Sequence, residues 1–249
     1  VEQTIDFAES IINDPNWPVA VNVDLLCEPT DDDLTIRADT VLERMIDCRM
    51  KDLKFLDYGC GLGYTAARSL LGSNAPREAV GYDVKREDWG RFRGMSDLIF
   101  TDNYNDLDKG SFDVILMYDV LDHCERPVEA LMNVKKLLAK DGVVYLRCHP
   151  WASRTGGHLY RQINKAYIHL AIDDNILREM RYEVEPVKKI FRPLKTYKEW
   201  FTAAGFKVCH ENSDTHDVLE RSLKDNTLIK RHWLPEQARD HTLTDEKVN

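Results

Sequence analysis

No apolar run in this chain of 249 residues approaches the length needed to cross a bilayer, and no basic segment followed by an apolar one opens it. A soluble, cytoplasmic protein without a membrane contact is expected, although Val at position 1 leaves a processed start open. Positive charge is scarce too: 34 Lys and Arg stand against 43 Asp and Glu, a formal net charge of −9. That balance argues against a broad, sequence-independent grip on nucleic acid, while a local basic patch remains compatible with it. There is no Cys-x-x-Cys pair. Cys27, Cys48, Cys60, Cys124, Cys148 and Cys209 are scattered, so no metal site is expected and free thiols in a reducing compartment are. Without a Pro/Ser-rich linker or an internal repeat, and with 43% hydrophobic residues, the chain reads as one domain with one substantial core. It also lacks Gly-Lys-Ser/Thr, which excludes a phosphate loop.

What is present is organised around KFLDYGCGLGYTAARSL, Lys54 to Leu70. Phe55, Leu56 and Tyr58 predict a strand, Gly59, Gly61 and Gly63 a turn, and Tyr64, Ala67, Leu70 and Leu71 a helix stopped by Gly72-Ser73-Asn74. A glycine turn between a parallel strand and a helix offers free backbone N–H groups at the mouth of a sheet, where nucleotide-like ligands bind. The spacing lacks the last interval of the dinucleotide fingerprint, and a tight turn without a ligand would satisfy the glycines equally well.

The flanking chain supplies more. Ile5, Ala8, Ile11 and Ile12 predict one amphipathic helix closed by Asp14-Pro15, and Val41, Leu42, Met45 and Ile46 a second; between them Trp17, the run Asp31-Asp32-Asp33 and Arg37 read as a solvated connection or a flap. Ala79 to Asp83 reads as a second strand ending in a carboxylate, Leu98 to Phe100 as a third followed by Thr101-Asp102-Asn103, and Phe112 to Met117 as a fourth, apolar enough to be buried on both faces. A helix through Leu131, Val134 and Leu138, ended by Asp141-Gly142, leads to a fifth strand at Val143 to Leu146. Strands alternating with helices imply an α/β fold with a mainly parallel sheet. Leu159 to Met180 predicts a long insertion helix or helix pair, and Thr196-x-x-Glu199 a capping box for a last helix ending at Gly205.

These residues together resemble the class I S-adenosylmethionine-dependent methyltransferases, in particular the branch rich in small-molecule enzymes. The matching stretches are LDYGCGLG at 56–63, GYD at 81–83, SFDVILMYDVLDH at 111–123, LLAKDGVVYLR at 137–147 and EWFTAAGFKV at 199–208. The resemblance implies a doubly wound, seven-stranded Rossmann-like sheet. It implies a single domain over 1–235 with an N-terminal helical cap at 1–50, a substrate-side insertion at 149–195, and a mobile tail at 236–249. Carried over by position, Asp57, Gly59, Cys60, Gly61 and Gly63 would surround the methionine part of S-adenosylmethionine. Asp83, with Val84 beside it, would hold the ribose, Asp102 and Asn103 would meet the adenine, and Tyr118 would lie near the sulfonium.

Methyl transfer is an in-line displacement that depends above all on holding the acceptor's lone pair behind the methyl group; a hydroxyl acceptor also needs a base, a neutral amine does not. The segment after strand five, Cys148 to Tyr160, gathers His149, Trp151, Arg154, His158 and Tyr160. His149 and His158 are candidate bases, Tyr118 and Asp119 further catalytic candidates, and Trp151, Arg154 and Tyr160 candidate acceptor contacts. His123 reads as structural or cofactor-lining. The expected acceptor is a small molecule, anionic or neutral, methylated on O or N, and the expected assembly a monomer or homodimer. RNA or cap methylation is the alternative, and a noncatalytic partner protein that keeps the fold is a third reading.

Overall fold

The strands of the computed structural model are β1 (Lys54–Tyr58), β2 (Glu78–Tyr82), β3 (Leu98–Thr101), β4 (Phe112–Tyr118) and β5 (Leu138–Arg147). The helices are α1 (Ile5–Ile12), α2 (Asp31–Arg44), α3 (Tyr64–Ser69), α4 (Pro127–Leu137), α5 (Ile168–Ala171), α6 (Asp174–Glu179) and α7 (Leu194–Ala203). Residues 4–22, 28–45, 48–148, 154–155, 157–184 and 194–209 are described. They fall into two compact units. One comprises the described residues of 29–148 with 204–206; the other comprises those of 1–28, 149–203 and 207–249.

In the first unit the five strands are parallel and ordered β3-β2-β1-β4-β5. The chain winds outward from β1 through β2 to β3, then returns to place β4 on the other side of β1. That reversal makes the carboxyl edge between β1 and β4 a topological switch point, where open α/β sheets bind ligands. The strands are built for burial on both faces: Phe55, Leu56, Val114, Ile115, Leu116 and Met117 are all at most 2% exposed. Phe55, Ala79, Val114 and Leu116 pack against Val41, Met45, Cys48 and Met50, so α2 and the turn after it close one face of the sheet.

The acidic run expected as a connection or flap is instead the first turn of α2. Thr30 accepts from the Asp33 N–H at 3.2 Å while the Asp33 carboxylate accepts from the Thr30 N–H at 2.9 Å, a complete capping box. Three carboxylates at the positive end of the helix dipole add to it. Asp141-Gly142, expected to end the fourth helix, lies within β5. Phe112 pairs with Leu138 but Val114 with Val143, so β5 carries extra residues opposite Asp113. Gly142 is required there, since a Cβ would stand 2.9 Å from the Phe112 carbonyl oxygen.

In the second unit α1, capped by Thr4, places Ala8 and Ile11 in a core with Trp17, Leu159, Ile163, Ile168, Ile172 and Leu177. The Trp17 Nε1–H donates to the Ala166 carbonyl at 2.8 Å, and the Asn164 side chain bonds both the N–H and the carbonyl of Val21. Of the long helix or helix pair expected over Leu159 to Met180, the structure forms a single turn at Leu159–Arg161 and then two short helices, α5 and α6. His158 and Tyr167 adopt left-handed backbone, φ 51° and 58°, which interrupts the helical path on either side of that turn. Asp173 starts α6 by accepting from the Asn175 N–H. Thr196, expected to cap the last helix, lies inside α7, which begins two residues earlier. In the matching stretch at 199–208, which resembles the family's last helix and following strand, residues 206–208 form no strand among the described residues.

Candidate active site

The loop between β1 and α3 turns on three left-handed glycines, Gly59, Gly61 and Gly63, with φ 87°, 49° and 85°. Gly59 and Cys60 both donate their N–H to the Tyr82 carbonyl, at 2.7 and 3.0 Å, which ties the loop to the end of β2. Two of the glycines are demanded by the protein's own packing. A Cβ on Gly59 would stand 2.2 Å from Val120 Cγ2, and one on Gly63 would stand 2.6 Å from the Phe100 ring. At Gly61 the same direction is open space.

Asp57, the last but one residue of β1, is 4% exposed beneath this loop. It accepts from the Ala66 N–H, and its Oδ2 has no hydrogen-bond partner among the described residues. Burial pushes its carboxyl up to about 7, with a smaller contribution from the charge of Asp83. Asp83 follows β2 and accepts from the Gly61 N–H at 2.9 Å and the Lys85 N–H at 3.0 Å, so one carboxylate shapes both the glycine loop and its own turn. Burial raises the Cys60 thiol far out of the range in which a thiolate forms. Val84 is 81% exposed. After β3, Asp102 and Asn103 are exposed; Asn103 caps the following turn, its side chain accepting from the Asn105 N–H and its own N–H donating to Thr101 Oγ1.

Sequence reading missed the aromatic strap over the loop. Trp89 Nε1 donates to the Gly61 carbonyl at 2.8 Å, and the indole stacks on Phe100 with centroids 5.1 Å apart and planes 12° off parallel. Arg91 binds both Asp31 and the Tyr64 hydroxyl, which in turn donates to Asp31. The only signal in the sequence is the pair Trp89 and Phe92 in DWGRF, at the i,i+3 spacing of a single helical turn, which the structure forms over Gly90–Phe92.

At the carboxyl end of β4, Tyr118 and Asp119 lie among three arginines. The Arg147 guanidinium stands 4.8 Å over the Tyr118 ring and donates from Nη1 to both Asp119 oxygens at 2.7 and 2.6 Å. Arg37 reaches Asp119 at 3.4 Å, and Arg44 donates to the Tyr118 hydroxyl at 2.9 Å. His123 follows, its Nε2 3.9 Å from a carboxylate oxygen of the fully buried Asp122.

The remaining candidates belong to the other unit. Arg154 donates from Nε and Nη2 to the Val19 carbonyl and accepts at its own carbonyl from the Tyr167 N–H, so it ties the N-terminal segment to α5. His158 has its ring edge-on to Tyr160, centroids 6.3 Å apart. His149 and Trp151 lie outside the described residues.

A glycine loop, a buried acid below it and a carboxylate ending the next strand stand at the edge where open α/β sheets bind nucleotide-type ligands. A family model described as a methyltransferase domain matches residues 32–211. The chain belongs to the class I S-adenosylmethionine-dependent methyltransferases. Among solved structures, an S-adenosylmethionine-dependent methyltransferase from Mesorhizobium loti shares the fold, with a TM-score of 0.50 and 14% identity over 80% of this chain and 94% of that one. The YcgJ protein of Bacillus subtilis is similar at a TM-score of 0.46 and 18% identity, over 82% and 87%. No curated protein matches the chain significantly in sequence. No helix among the described residues is long and apolar enough to cross a membrane.

The residues present fit the family's donor. Asp57 keeps an oxygen, unpartnered among the described residues, that an ammonium group would satisfy, and Gly61 leaves the loop open on one side.

Proposed function

We propose that this chain transfers the methyl group of S-adenosylmethionine to an oxygen or nitrogen atom of a small, anionic acceptor. The observation that carries the reading is the Asp57 Oδ2, buried and without a hydrogen-bond partner among the described residues, beneath a glycine loop whose Gly61 faces open space. A buried polar atom left unpaired costs about 1–3 kcal/mol, so such an atom in a stable fold points to a bound group that completes it. When bound, the donor supplies an electrophilic methyl on a sulfonium.

Asp57, Gly59, Cys60, Gly61 and Gly63 hold its amino-acid end in this reading. Asp83 keeps lone pairs for the ribose beside its two N–H bonds, with Val84 alongside. Asp102 and Asn103 meet the base, and Tyr118 borders the reacting centre. The segment 149–195 governs the acceptor, because it continues directly from β5 at the carboxyl edge of the sheet. His149, two residues beyond Arg147, is the preferred base and His158 the second candidate. Tyr118 and Asp119 stand behind them, since Arg44 and Arg147 already engage their oxygens. Trp151, Arg154 and Tyr160 contact the acceptor. This reading keeps a seven-stranded sheet within one domain over 1–235.

Incubation with S-adenosylmethionine labelled in the methyl group and a fractionated extract tests this. Label is expected in an anionic small-molecule fraction. Label confined to nucleic acid would overturn the acceptor class, and failure to bind S-adenosylhomocysteine in calorimetry would overturn the reading itself.

A further inference from the structure

We propose that Arg147, Arg37 and Arg44 form a seat for the oxyanion of the acceptor, a carboxylate or phosphate group, with Asp119 as its built-in gauge of charge. Three guanidinium groups converge here on one carboxylate and one phenol. In a chain with a net charge of −9 this is a local excess of two positive charges. Like charges held within a few ångströms of one another repel, and a single carboxylate neutralises only one of them. A second anion completes the balance.

The arrangement is built into the fold. Tyr118 and Arg147 are paired neighbours across β4 and β5, which places the guanidinium over the ring. Arg37 and Arg44 are seven residues apart on α2 and therefore share one face of the helix. Asp119 adopts left-handed backbone, φ 55°, with its N–H bonded to the Arg147 carbonyl at 2.9 Å. Such a conformation is disfavoured for a residue with a side chain, and it aims this carboxylate at the arginines.

Donors remain for a ligand. Among the described residues Arg147 serves Asp119 from Nη1 alone, leaving Nε and Nη2 without a hydrogen bond, and Arg37 makes only one long contact. The Arg147 side chain is 39% exposed and that of Arg37 64%, so a dissolved anion can reach both. Guanidinium is the side chain best matched to carboxylate and phosphate, through paired N–H bonds.

Topology says which reactant uses the seat. Asp83 and Asp102 end β2 and β3 on one side of β1, whereas Arg147 ends β5 on the other, two strands or about 10 Å from β1. Val120, next to Asp119, fills the space at Gly59, so the seat begins where the glycine loop begins. A donor extending from that loop towards β3 leaves the β4–β5 edge to the second reactant. The identity of the occupant rests on the methyl-transfer reading; the existence of an anion seat does not.

Inorganic phosphate and succinate, titrated calorimetrically at constant ionic strength with and without S-adenosylhomocysteine, test it. Saturable binding is expected in the native protein. Arg147→Gln should weaken it at least tenfold and Arg37→Gln at least threefold, while Arg126→Gln, an exposed arginine paired to Glu129 on α4, should leave it unchanged. Asp119→Asn should tighten binding several-fold, because it removes the competing charge and keeps the shape, a gain that a purely structural role for Asp119 would not produce. If Arg147→Gln does not fold, Arg37→Gln and Asp119→Asn decide. No saturable binding, equal binding by Arg147→Gln, or weaker binding by Asp119→Asn would overturn the proposal. So would a tenfold loss of S-adenosylhomocysteine affinity in Arg37→Gln, which would give the arginines to the donor's own carboxylate. Anion binding that follows these expectations in a protein with no affinity for S-adenosylhomocysteine would support the seat and sink the methyl-transfer reading instead.

Discussion

Replacing Asp57 by Asn should make the protein more stable at pH 8 and poorer at holding its donor. The folded structure raises this carboxyl from 3.8 to about 7, chiefly by burial. The native state therefore binds the proton more tightly than the unfolded chain does. Stability from this group is complete below pH 4, declines as pH rises through the interval from about 4 to 7, and is gone above it. Three pKa units at about 1.4 kcal/mol each put the loss at roughly 4 kcal/mol, an upper bound for a buried group. Asn carries no charge to bury, keeps an oxygen for the Ala66 N–H, and leaves its amide NH2 group unpartnered at a cost of about 1–3 kcal/mol. The net gain expected at pH 8 is about 1–3 kcal/mol, vanishing or reversing near pH 4, and urea unfolding across that range measures it. Donor affinity should move the other way. An ammonium pairs with an ionised carboxylate, so S-adenosylhomocysteine should bind the native protein with proton release near pH 6 and more tightly as pH rises to 8, and the variant roughly 10- to 100-fold more weakly without the proton release. Parallel pH–stability curves for the two proteins, or equal donor affinity, would refute the reasoning.

Asp83→Ala should lower S-adenosylhomocysteine affinity by about 1.5–3 kcal/mol in calorimetry and loosen the loop, since it removes an acceptor that also bonds the Gly61 N–H. Gly59→Ala should destabilise the fold by more than about 2 kcal/mol in denaturant unfolding, because its Cβ would meet Val120 Cγ2 at 2.2 Å, and Val120→Ala in the same chain should recover part of the loss. An equally damaging double variant would mean that φ alone, and not the contact, sets the cost. Arg154→Lys should lower the melting temperature nearly as much as Arg154→Ala, since a lysine cannot make the two-nitrogen contact to the Val19 carbonyl; full recovery by lysine would point to charge in place of geometry.

The local pattern of the chain was enough for several of these features. Alternation of apolar strands with helices, the three closely spaced glycines and the acids at 57 and 83 are short-range signals, because strand burial, positive φ and strand-end chemistry each need only a few neighbouring residues. The helix break at Tyr167 was not legible, since tyrosine does not demand left-handed backbone and Leu159 to Leu170 keeps an apolar stripe through it. Asp141-Gly142 read as a helix stop because a bulge in a strand and the end of a helix use the same residues.

Which glycine answers to which neighbour was decided only in three dimensions: Val120 and Phe100, 61 and 37 residues further along, fill the space at Gly59 and Gly63. Long-range charge was decided there too. Arg37, Arg44, Tyr118, Asp119 and Arg147 lie on a helix and two strands, and no spacing in the sequence joins them. The composition determined that the chain is acidic. The parallel register of β4 with β5 and the packing of α2 determined where its positive charge gathers, because a field depends on distances through space and the order of residues records only distances along the chain.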